Sequence, residues 1–203
     1  MTCIAAVADG KRVWMGADSY AGNGYTYVLT QRPKLRKVGE FLIGGAGSIR
    51  ALDAAHFFLE VTTTGARDVE RFMRVTFVNA LRLAMQKAGV KQREDGVETV
   101  DADLIVGFRG RLYAVHSDFG VTTCPAWGYS VGIGEASAAA VLFALRTSRA
   151  KMRRNLTPAP SFRPTLSRKL DAWGASFVDV QAEVFLCGMR RSGGVAGAGE
   201  APN

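Results

Sequence analysis

The order of apolar patterns along this chain predicts an α+β fold, a four-layer αββα sandwich in which two antiparallel sheets pack face to face between helix pairs. Strand-like runs come first, then two helical patterns, more strands, two further helical patterns and a last strand. Short turns join neighbouring strands, which is typical of hairpins rather than of βαβ units. With 203 residues and 48% apolar residues, the chain suits one domain with a sizeable core. We expect that domain to span 1–190, and the Gly/Ala-rich stretch 191–203 to be a disordered tail.

Turn signals delimit five strands in the first part of the chain. Asp9-Gly10, Asn23-Gly24 and Gly39 supply the backbone conformations that tight turns need. The runs beside these turns are rich in the apolar, β-branched and aromatic residues that strands favour. The predicted strands are Cys3–Ala8, Val13–Ala17, Tyr25–Leu29, Lys34–Val38 and Phe41–Gly45.

Helical periodicity replaces the strand pattern after Ser48, which is the expected N-cap of a helix that ends near Thr62. A second helix is predicted over Val69–Lys87, where apolar residues recur on one side, and the polar stretch Arg93–Val97 predicts a loop. The remaining predictions are strands at Leu104–Phe108, at Leu112–Val115 and within 121–131, helices at Glu135–Thr147 and Leu166–Phe177, and a closing strand at Glu183–Cys187.

Thr2 directly follows Met1, and removal of Met1 would leave it at the N-terminus. That single residue would then carry both a hydroxyl nucleophile and an α-amine. A free α-amine titrates near pH 8, so it can accept a proton under neutral conditions. Thr2 is therefore a candidate nucleophile and base, although its position alone favours no catalytic role.

Two charged residues and a glycine-rich turn accompany Thr2. Asp18 ends the second apolar run, and Lys34 lies in a basic strand. A lysine close to a hydroxyl favours the ionised hydroxyl, and an aspartate paired with that lysine holds it charged and oriented. The glycine-rich stretch 44–47 can turn backbone N–H groups towards an oxyanion. Taken singly, these features are equally typical of turn residues, a solvated charge and a tight strand-to-helix turn.

In this order, the motifs resemble the β-type subunits of the proteasome and the related bacterial peptidase HslV, which are N-terminal nucleophile hydrolases. The matching pattern is a processed Thr, then Gly16-Ala17-Asp18, then Lys34, then the glycine-rich turn, and the resemblance is strongest over about the first fifty residues. The resemblance implies a threonine endopeptidase with Thr2, Asp18 and Lys34 as catalytic residues and the Gly44 amide as oxyanion donor. It also implies the same four-layer sandwich.

The resemblance carries further expectations about substrate, cofactors and partners. By alignment to the family, Arg32, Leu42 and Ala46 line the substrate pocket. The family implies a homo-oligomeric ring or double ring around an inner chamber, a polypeptide substrate and an unfolding ATPase as partner. It implies a cytoplasmic protein, and a reaction that requires no metal and no organic cofactor.

One segment departs from the family pattern. Where the family shows Gly-Ser-Gly, this chain has Ile133 in place of the serine. Ser130 lies nearby, but in a strand its side chain points away from that of Val131. Asp171 and Asp179 are the two candidates for the family's second acidic residue. The missing serine leaves open an alternative function, a catalytically silent shell-forming protein that retains the fold.

Composition limits other classes of function. Cys3, Cys124 and Cys187 are odd in number and lack metal-type spacing, so we expect free thiols in a reducing compartment. His56 and His116 are isolated from each other, and we expect no metal site, with His56 as a packing residue. No stretch approaches the ~18 apolar residues of a membrane helix, and we expect no signal peptide.

A net charge of +8 leaves binding to an anionic polymer open as a further alternative. The densest basic stretch, 146–169, is interrupted by prolines and contains no nucleic-acid-binding motif, so a solvated helix end and loop is favoured. We therefore expect no nucleic acid partner. A third alternative is an amidase for small amides that uses Cys3, which would require removal of Thr2 as well.

Overall fold

The computed structural model describes residues 2–22, 27–29, 32–64, 66–155 and 176–179. Within these ranges the chain is a mixed α+β fold of antiparallel sheets and helices. The strands are β1 (Ile4–Ala8), β2 (Val13–Ala17), β3 (Tyr20–Gly22), β4 (Tyr27–Leu29), β5 (Leu35–Val38), β6 (Phe41–Gly47), β7 (Gln92–Glu94), β8 (Val97–Thr99), β9 (Ala102–Phe108), β10 (Arg111–Val115), β11 (Val121–Cys124), β12 (Tyr129–Val131) and β13 (Ser176–Asp179).

The helices lie between β6 and β7 and after β12. They are α1 (Ile49–Asp53), which continues as a π-helical segment (Ala54–Phe58), α2 (Val69–Arg71), whose π-helical continuation (Phe72–Phe77) leads into α3 (Val78–Lys87), and α4 (Glu135–Asn155). Ser48 is the N-cap residue of α1, with extended backbone angles, but its side chain makes no capping hydrogen bond. The helix predicted over Val69–Lys87 is confirmed, with a π-helical stretch inside it.

The described strands form two larger antiparallel sheets. The first sheet has the order β12-β1-β2-β13, and the second has the order β11-β10-β9-β6-β5. The hairpins β3–β4 and β7–β8 are separate two-stranded sheets. The purely antiparallel pairing agrees with the hairpins that the sequence predicts.

Residues with positive φ angles close the tight turns. Gly39 has φ +58 in the two-residue turn between β5 and β6, and Arg109 and Gly110 have φ +47 and +72 in the turn between β9 and β10. These turns fix the register of the second sheet, because a two-residue turn makes its flanking residues a hydrogen-bonded pair.

Two hydrophobic clusters position the sheets and helices. The cluster between the two sheets includes Ile4, Met15, Leu42 and Ile105, all with no exposed surface. The other cluster joins the opposite face of the second sheet to α1–α3 and their π-helical segments through residues such as Phe41. Each full burial of such a side chain contributes about 1.5–3 kcal/mol, so these clusters hold the strand ends near Thr2 in place.

The structure corrects two of the sequence-based expectations. Arg93–Val97 is not a loop but the turn region of the β7–β8 hairpin, in which Asp95 has φ +48 and Gly96 has φ +83. An Asp-Gly turn with two positive φ angles is a strong hairpin former, so the local signal was present in the sequence. Phe177, predicted as the end of a helix, lies in β13 and pairs with Gly16.

Other expectations differ in extent or lie outside the described residues. The helix predicted over Glu135–Thr147 continues to Asn155 as α4. The parts 25–26, 166–175, 183–187 and 191–203 of the predicted elements and tail lie outside the described residues. In the described part of the chain, no helix combines the length and the apolar character needed to cross a membrane.

Candidate active site

Thr2 lies at the mouth of the space between the two sheets. It precedes Ile4 by two residues along β1, so its side chain shares the face that Ile4 buries between the sheets. Lys34, the residue before β5, reaches across this mouth and donates from Nζ to Thr2 Oγ1 over 3.2 Å. The two residues, 32 positions apart in sequence, are thus within hydrogen-bonding distance.

Asp18 holds Lys34 in this position. Lys34 Nζ lies 3.0 Å from Oδ1 and 3.0 Å from Oδ2 of Asp18, and the side chains are only 10% and 18% exposed. The same Oδ1 accepts a hydrogen bond of 2.7 Å from the backbone N–H of Cys3, and the Asp18 N–H donates to the Cys3 carbonyl over 3.1 Å. The carboxylate is therefore anchored to β1 on one side and orients the ammonium group on the other.

The Cys3 thiol is a poor nucleophile in this setting. Burial and the negative charge of Asp18 raise its pKa, and the positive charge of Lys34 offsets this only in part. Its Sγ lies 3.6 Å from the Gly134 carbonyl oxygen. The ionised thiolate that nucleophilic catalysis needs is therefore disfavoured at neutral pH.

The turn between β12 and α4 contacts the backbone of Thr2 and binds its carbonyl group. Gly134 N–H donates to the Thr2 carbonyl over 3.2 Å. Gly132 has φ +97, and a Cβ atom there would lie 2.2 Å from the Thr2 carbonyl oxygen. Only glycine fits this approach, because any side chain would displace Thr2 or strain the turn. The family resemblance pointed to this segment through its missing serine, but not to the two glycines that contact Thr2.

The register of the second sheet implies that the Gly44 N–H donates a hydrogen bond to β9. Val38–Phe41 and Phe108–Arg111 flank two-residue turns and are therefore hydrogen-bonded pairs. Because hydrogen-bonded and non-hydrogen-bonded pairs alternate, counting from either turn directs the Gly44 N–H towards Ile105. Gly44 thus does not fit the oxyanion role that the family alignment gave it, since its donor is used within the sheet.

The same alternation turns the Gly47 N–H to the opposite side of β6. The pairing of β5 with β6 stops at Leu35 and Gly44, so among the described residues no strand pairs with that side of β6 at Gly47. Gly47 has φ +118, and a Cβ atom there would lie 2.4 Å from the Asp101 carbonyl oxygen. Its exposed backbone donor lies at the open end of the strand, a feature that pattern reading of the glycine-rich stretch could not assign to one residue.

Neither of the two residues considered as replacements for the family's serine provides a hydroxyl group to Thr2 in the contacts described. Ser130 bonds elsewhere, and Ile133 has no hydroxyl group. Ser130 is buried, and its Oγ donates to the Glu135 carbonyl over 2.9 Å, at the start of α4. Ile133 is 74% exposed in the turn that grips Thr2. The place where the family carries a serine is therefore an exposed apolar side chain here.

Of the two candidates for a second acidic residue, Asp179 is the one that the described residues include. Asp179 pairs with Trp14, three positions along β2 from Ala17, which places its backbone about 10 Å from the Asp18 end of that strand. Asp171 lies outside the described residues. Within the described part of the chain, no group of His, Cys, Asp and Glu side chains has the geometry to hold a metal ion.

The three proposed pocket residues differ in their burial and in their contacts. Leu42 has no exposed surface and packs between the sheets, so it cannot contact a substrate, and the sequence-based expectation is corrected. Ala46 is partly buried near the open end of β6. Arg32 forms an ion pair with Asp53 and donates to the Ile49 carbonyl over 3.3 Å, which ties the start of β5 to α1. Arg32 and Ala46 therefore flank the same edge as Gly47.

Comparison with solved structures identifies the fold. BPH of Thiobacillus denitrificans, a bacterial proteasome homologue, in complex with epoxomicin matches with a TM-score of 0.58 and 17% identity over 88% of this chain and 97% of that chain. Another structure of BPH gives a TM-score of 0.54 and 21% identity over 71% and 78%. HslV of Trypanosoma brucei gives 0.50 and 19% over 87% and 98%. The sequence itself matches no family model and no curated protein.

The fold of this chain is thus that of the proteasome-like N-terminal nucleophile hydrolases, and the resemblance drawn from the sequence is confirmed at the level of the fold. These likenesses arise at low sequence identity, so activity has to be argued from the site.

Proposed function

We propose that this protein is a threonine endopeptidase whose nucleophile is Thr2, exposed by removal of Met1. The observation that carries the proposal is the contact between Lys34 Nζ and Thr2 Oγ1 at 3.2 Å, with both Asp18 oxygens 3.0 Å from the same ammonium group. An ammonium group so held stabilises the alkoxide that forms as the hydroxyl loses its proton.

In the proposed reaction, Thr2 Oγ1 attacks the carbonyl carbon of a peptide bond, and the α-amine of Thr2 accepts the hydroxyl proton, through a water if it follows the family. The tetrahedral oxyanion receives a hydrogen bond from a backbone amide, for which the open position of Gly47 makes it a better candidate than Gly44. The α-amine then protonates the leaving amine, the C–N bond breaks and an ester remains on Thr2. Water hydrolyses that ester and restores the free hydroxyl.

Several features of the proposal extend beyond the site. The fold likeness is compatible with a homo-oligomeric ring or double ring with Thr2 facing an inner chamber, and to this we add, from the family resemblance, a polypeptide substrate, an unfolding ATPase partner and a cytoplasmic location as part of the proposal. We also propose that residues 1–190 form one domain with the four-layer αββα arrangement of sheets and helices. The mechanism itself requires no metal ion and no organic cofactor.

A specific observation favours a second candidate, a catalytically silent assembly protein. Ile133 occupies the place of the family's serine, and the Ser130 hydroxyl is bonded to the Glu135 carbonyl instead. A Thr2 that retained Met1 would also lack the free amine that the reaction needs. The two candidates therefore differ in a measurable covalent property of the chain.

Intact mass spectrometry combined with peptide hydrolysis tests the proposal. We expect the purified protein to have lost one methionine and to cleave an unfolded polypeptide. Thr2→Ala should abolish cleavage, whereas Thr2→Ser, which keeps a hydroxyl and an amine, should retain part of it. A full-length mass without any cleavage would instead establish the silent protein.

Lys34→Ala should reduce kcat/KM by about 10²–10⁴-fold, because the developing negative charge on Thr2 Oγ1 loses its nearest counter-charge. Lys11→Ala is a matched control, since Lys11 is exposed in the turn between β1 and β2 and should leave kcat/KM within a factor of two or so. Hydrolysis that survives in both Thr2→Ala and Lys34→Ala would rule out this mechanism.

A further inference from the structure

A cavity of about 220 Å³ lies next to the turn between β12 and α4, whose Gly134 N–H binds the Thr2 carbonyl. Its walls come from the ends of β9, β10 and β12 and from the first residue of α4. They include Asp103, His116, Tyr129, Val131 and Glu135. None of these residues has a role in the reaction described above.

The register places this cavity one strand away from Thr2. Val131 in the cavity wall pairs with Ile4, two residues after Thr2 on the neighbouring strand. Glu135 directly follows Gly134, whose N–H binds the Thr2 carbonyl. Since paired strands lie about 4.8 Å apart, the cavity is within the reach of one residue of a peptide bound at Thr2.

The backbone of Thr2 faces the cavity side of β1. Cys3 uses its N–H and carbonyl towards Asp18 at the end of β2, and in a strand the next residue points the other way. Accordingly, the Thr2 carbonyl accepts from Gly134, in the turn beside the cavity. The α-amine of a processed Thr2 would face the same turn. The leaving amine must receive its proton from this group, so it departs towards the cavity and away from Lys34.

The cavity carries negative charge. Asp103 and Glu135 stand at its rim, and burial, followed by the negative charge of neighbours that include both carboxylates, raises the pKa of Tyr129 between them. His116 is the one basic side chain in the lining; its Nδ1 lies 3.8 Å from Asp103 Oδ1, and its Nε2 lies 3.0 Å from Thr122 Oγ1. A cationic group that enters would therefore meet two carboxylates and a phenolic oxygen.

We propose that this cavity receives the side chain of the residue that follows the scissile bond, and that Asp103 and Glu135 make lysine or arginine the preferred residue there. This inference rests on the proposed peptidase function and names the substrate class of that site. The exposed lining is mostly polar, which suits the charged end of such a side chain, and the carboxylates at the rim are its partners.

Matched peptides test the subsite. A cleavage site is first located by mass spectrometry in a digest of an unfolded protein. Peptides of that sequence are then made with lysine, methionine or glutamate after the scissile bond, together with the same acyl segment carrying a small neutral fluorogenic amine. We expect kcat/KM for lysine to exceed that for methionine by about 4–25-fold, since each of the two partly exposed carboxylates contributes about 2–5-fold.

The double variant Asp103→Asn/Glu135→Gln should bring the lysine-to-methionine ratio close to one. The ratio is insensitive to a misfolded fraction, because that fraction lowers both rates equally. Glu60→Gln removes one carboxylate from a side chain that is 83% exposed and distant from the cavity lining, and should leave the ratio unchanged.

Two results would overturn the inference and keep the peptidase: equal rates for lysine and methionine in the wild type, or a lysine preference that persists in the double variant. If the wild type does not hydrolyse the fluorogenic substrate, the proposed peptidase function is contradicted, and the proposed subsite with it. A preference for glutamate would contradict the charge assignment directly.

Discussion

At the scale of single residues, the candidate site depends on glycines as much as on charged groups. Gly132 has φ +97 and approaches the Thr2 carbonyl so closely that a Cβ atom would lie 2.2 Å from it. The position of Thr2 relative to Lys34 is therefore set partly by a residue without a side chain. Such a constraint can be tested separately from the chemistry of Lys34 and Asp18.

We expect Gly132→Ala to lower kcat/KM by at least about 10²-fold, because a misplacement of about 1 Å at a nucleophile has that effect. Gly96→Ala is the matched control, since Gly96 has φ +83 but open space around its Cβ position. Both variants should lose about 1–2 kcal/mol of unfolding free energy through backbone strain. Equal activity in the two variants, measured per folded molecule, would show that the turn does not position Thr2.

Single residues also show where sequence reasoning succeeds and fails. Thr2, Asp18 and Lys34 are predicted because their order along the chain resembles the motif of a known family, and the structure brings all three together. Gly44 and Gly47 could not be distinguished, because the fate of each amide depends on the long-range pairing of β6 with β9, which no local sequence signal predicts.

At the scale of elements, β6 links the site to the core. Leu42 in this strand is fully buried between the sheets, whereas the alignment had placed it in a substrate pocket. Alternation puts Leu42 on the same face as Gly44 and Ala46, but Leu42 lies deeper, in the closed part of the space between the sheets. Position along a strand therefore decides between core and site.

Leu42→Ala should destabilise the protein by about 2–5 kcal/mol, through lost burial and the cavity that remains. Cleavage preference should stay unchanged, because the side chain touches no substrate. Leu83→Ala, at a position that is 60% exposed on α3, is the matched control and should change stability by less than about 0.5 kcal/mol. Urea unfolding measures the first effect, and an altered preference in Leu42→Ala would restore the pocket assignment.

The π-helical continuation of α1 docks on β6 through His56. The ring is buried and its Nε2 lies 3.2 Å from the Ile43 carbonyl oxygen, which fits a neutral ring that donates this hydrogen bond. Burial lowers the pKa of His56 from 6.5 to about 4, and the Ile43 hydrogen bond opposes the shift only in part. His56 is thus a packing residue whose protonation would destabilise the folded protein.

The free energy of unfolding should decrease as the pH is lowered from 7 to 5, because His56 is harder to protonate in the folded protein than in the unfolded chain. The unfolded chain takes up the proton near pH 6.5 and the folded protein only near pH 4, so the unfolded state binds more protons between these values. We expect a loss of about 2 kcal/mol between pH 7 and pH 5. His56→Gln should remove this part of the slope, whereas His116→Gln, at a half-exposed ring, should keep it. Parallel slopes in all three proteins would contradict the assignment.

The hairpin β7–β8 shows why a polar segment was predicted as a loop but folds as two strands. Its polar residues predicted a loop, yet the Asp95-Gly96 turn with two positive φ angles folds them into paired strands. Arg82 and Lys91 both form ion pairs with Glu98 on β8, which tie the hairpin to α3 and to the segment before it. The Asp-Gly turn, which the sequence shows, and these tertiary contacts together outweigh the polarity of the two strands.

At the scale of the whole molecule, the fold class followed from the order of elements, because the segregation of strands and helices survives errors at individual boundaries. The net charge of +8 was less informative. Many of the basic residues in the described part form ion pairs, as Arg32 does with Asp53, and the stretch 146–169 extends beyond the described residues. Charge alone therefore does not separate an anion-binding protein from a peptidase subunit.

Exposed apolar side chains lead to a final prediction about assembly. Ile49, Phe57 and Phe58 on α1 and its continuation are 56%, 60% and 37% exposed, and such neighbouring residues are typical of surfaces that other proteins cover. We expect sedimentation to give a particle mass that is a multiple of 21.8 kDa, for the wild type and for Thr2→Ala alike.

Because burial of apolar surface is not screened by ions, this assembly should persist in about 1 M salt, where exposed charge pairs are screened within about 3 Å. Binding to an anionic polymer would instead weaken by orders of magnitude over a far smaller increase in salt. A species of 21.8 kDa at both salt concentrations would contradict the assembly and remove the enclosed chamber from the proposed function, while the chemistry at Thr2 would still stand on its own test.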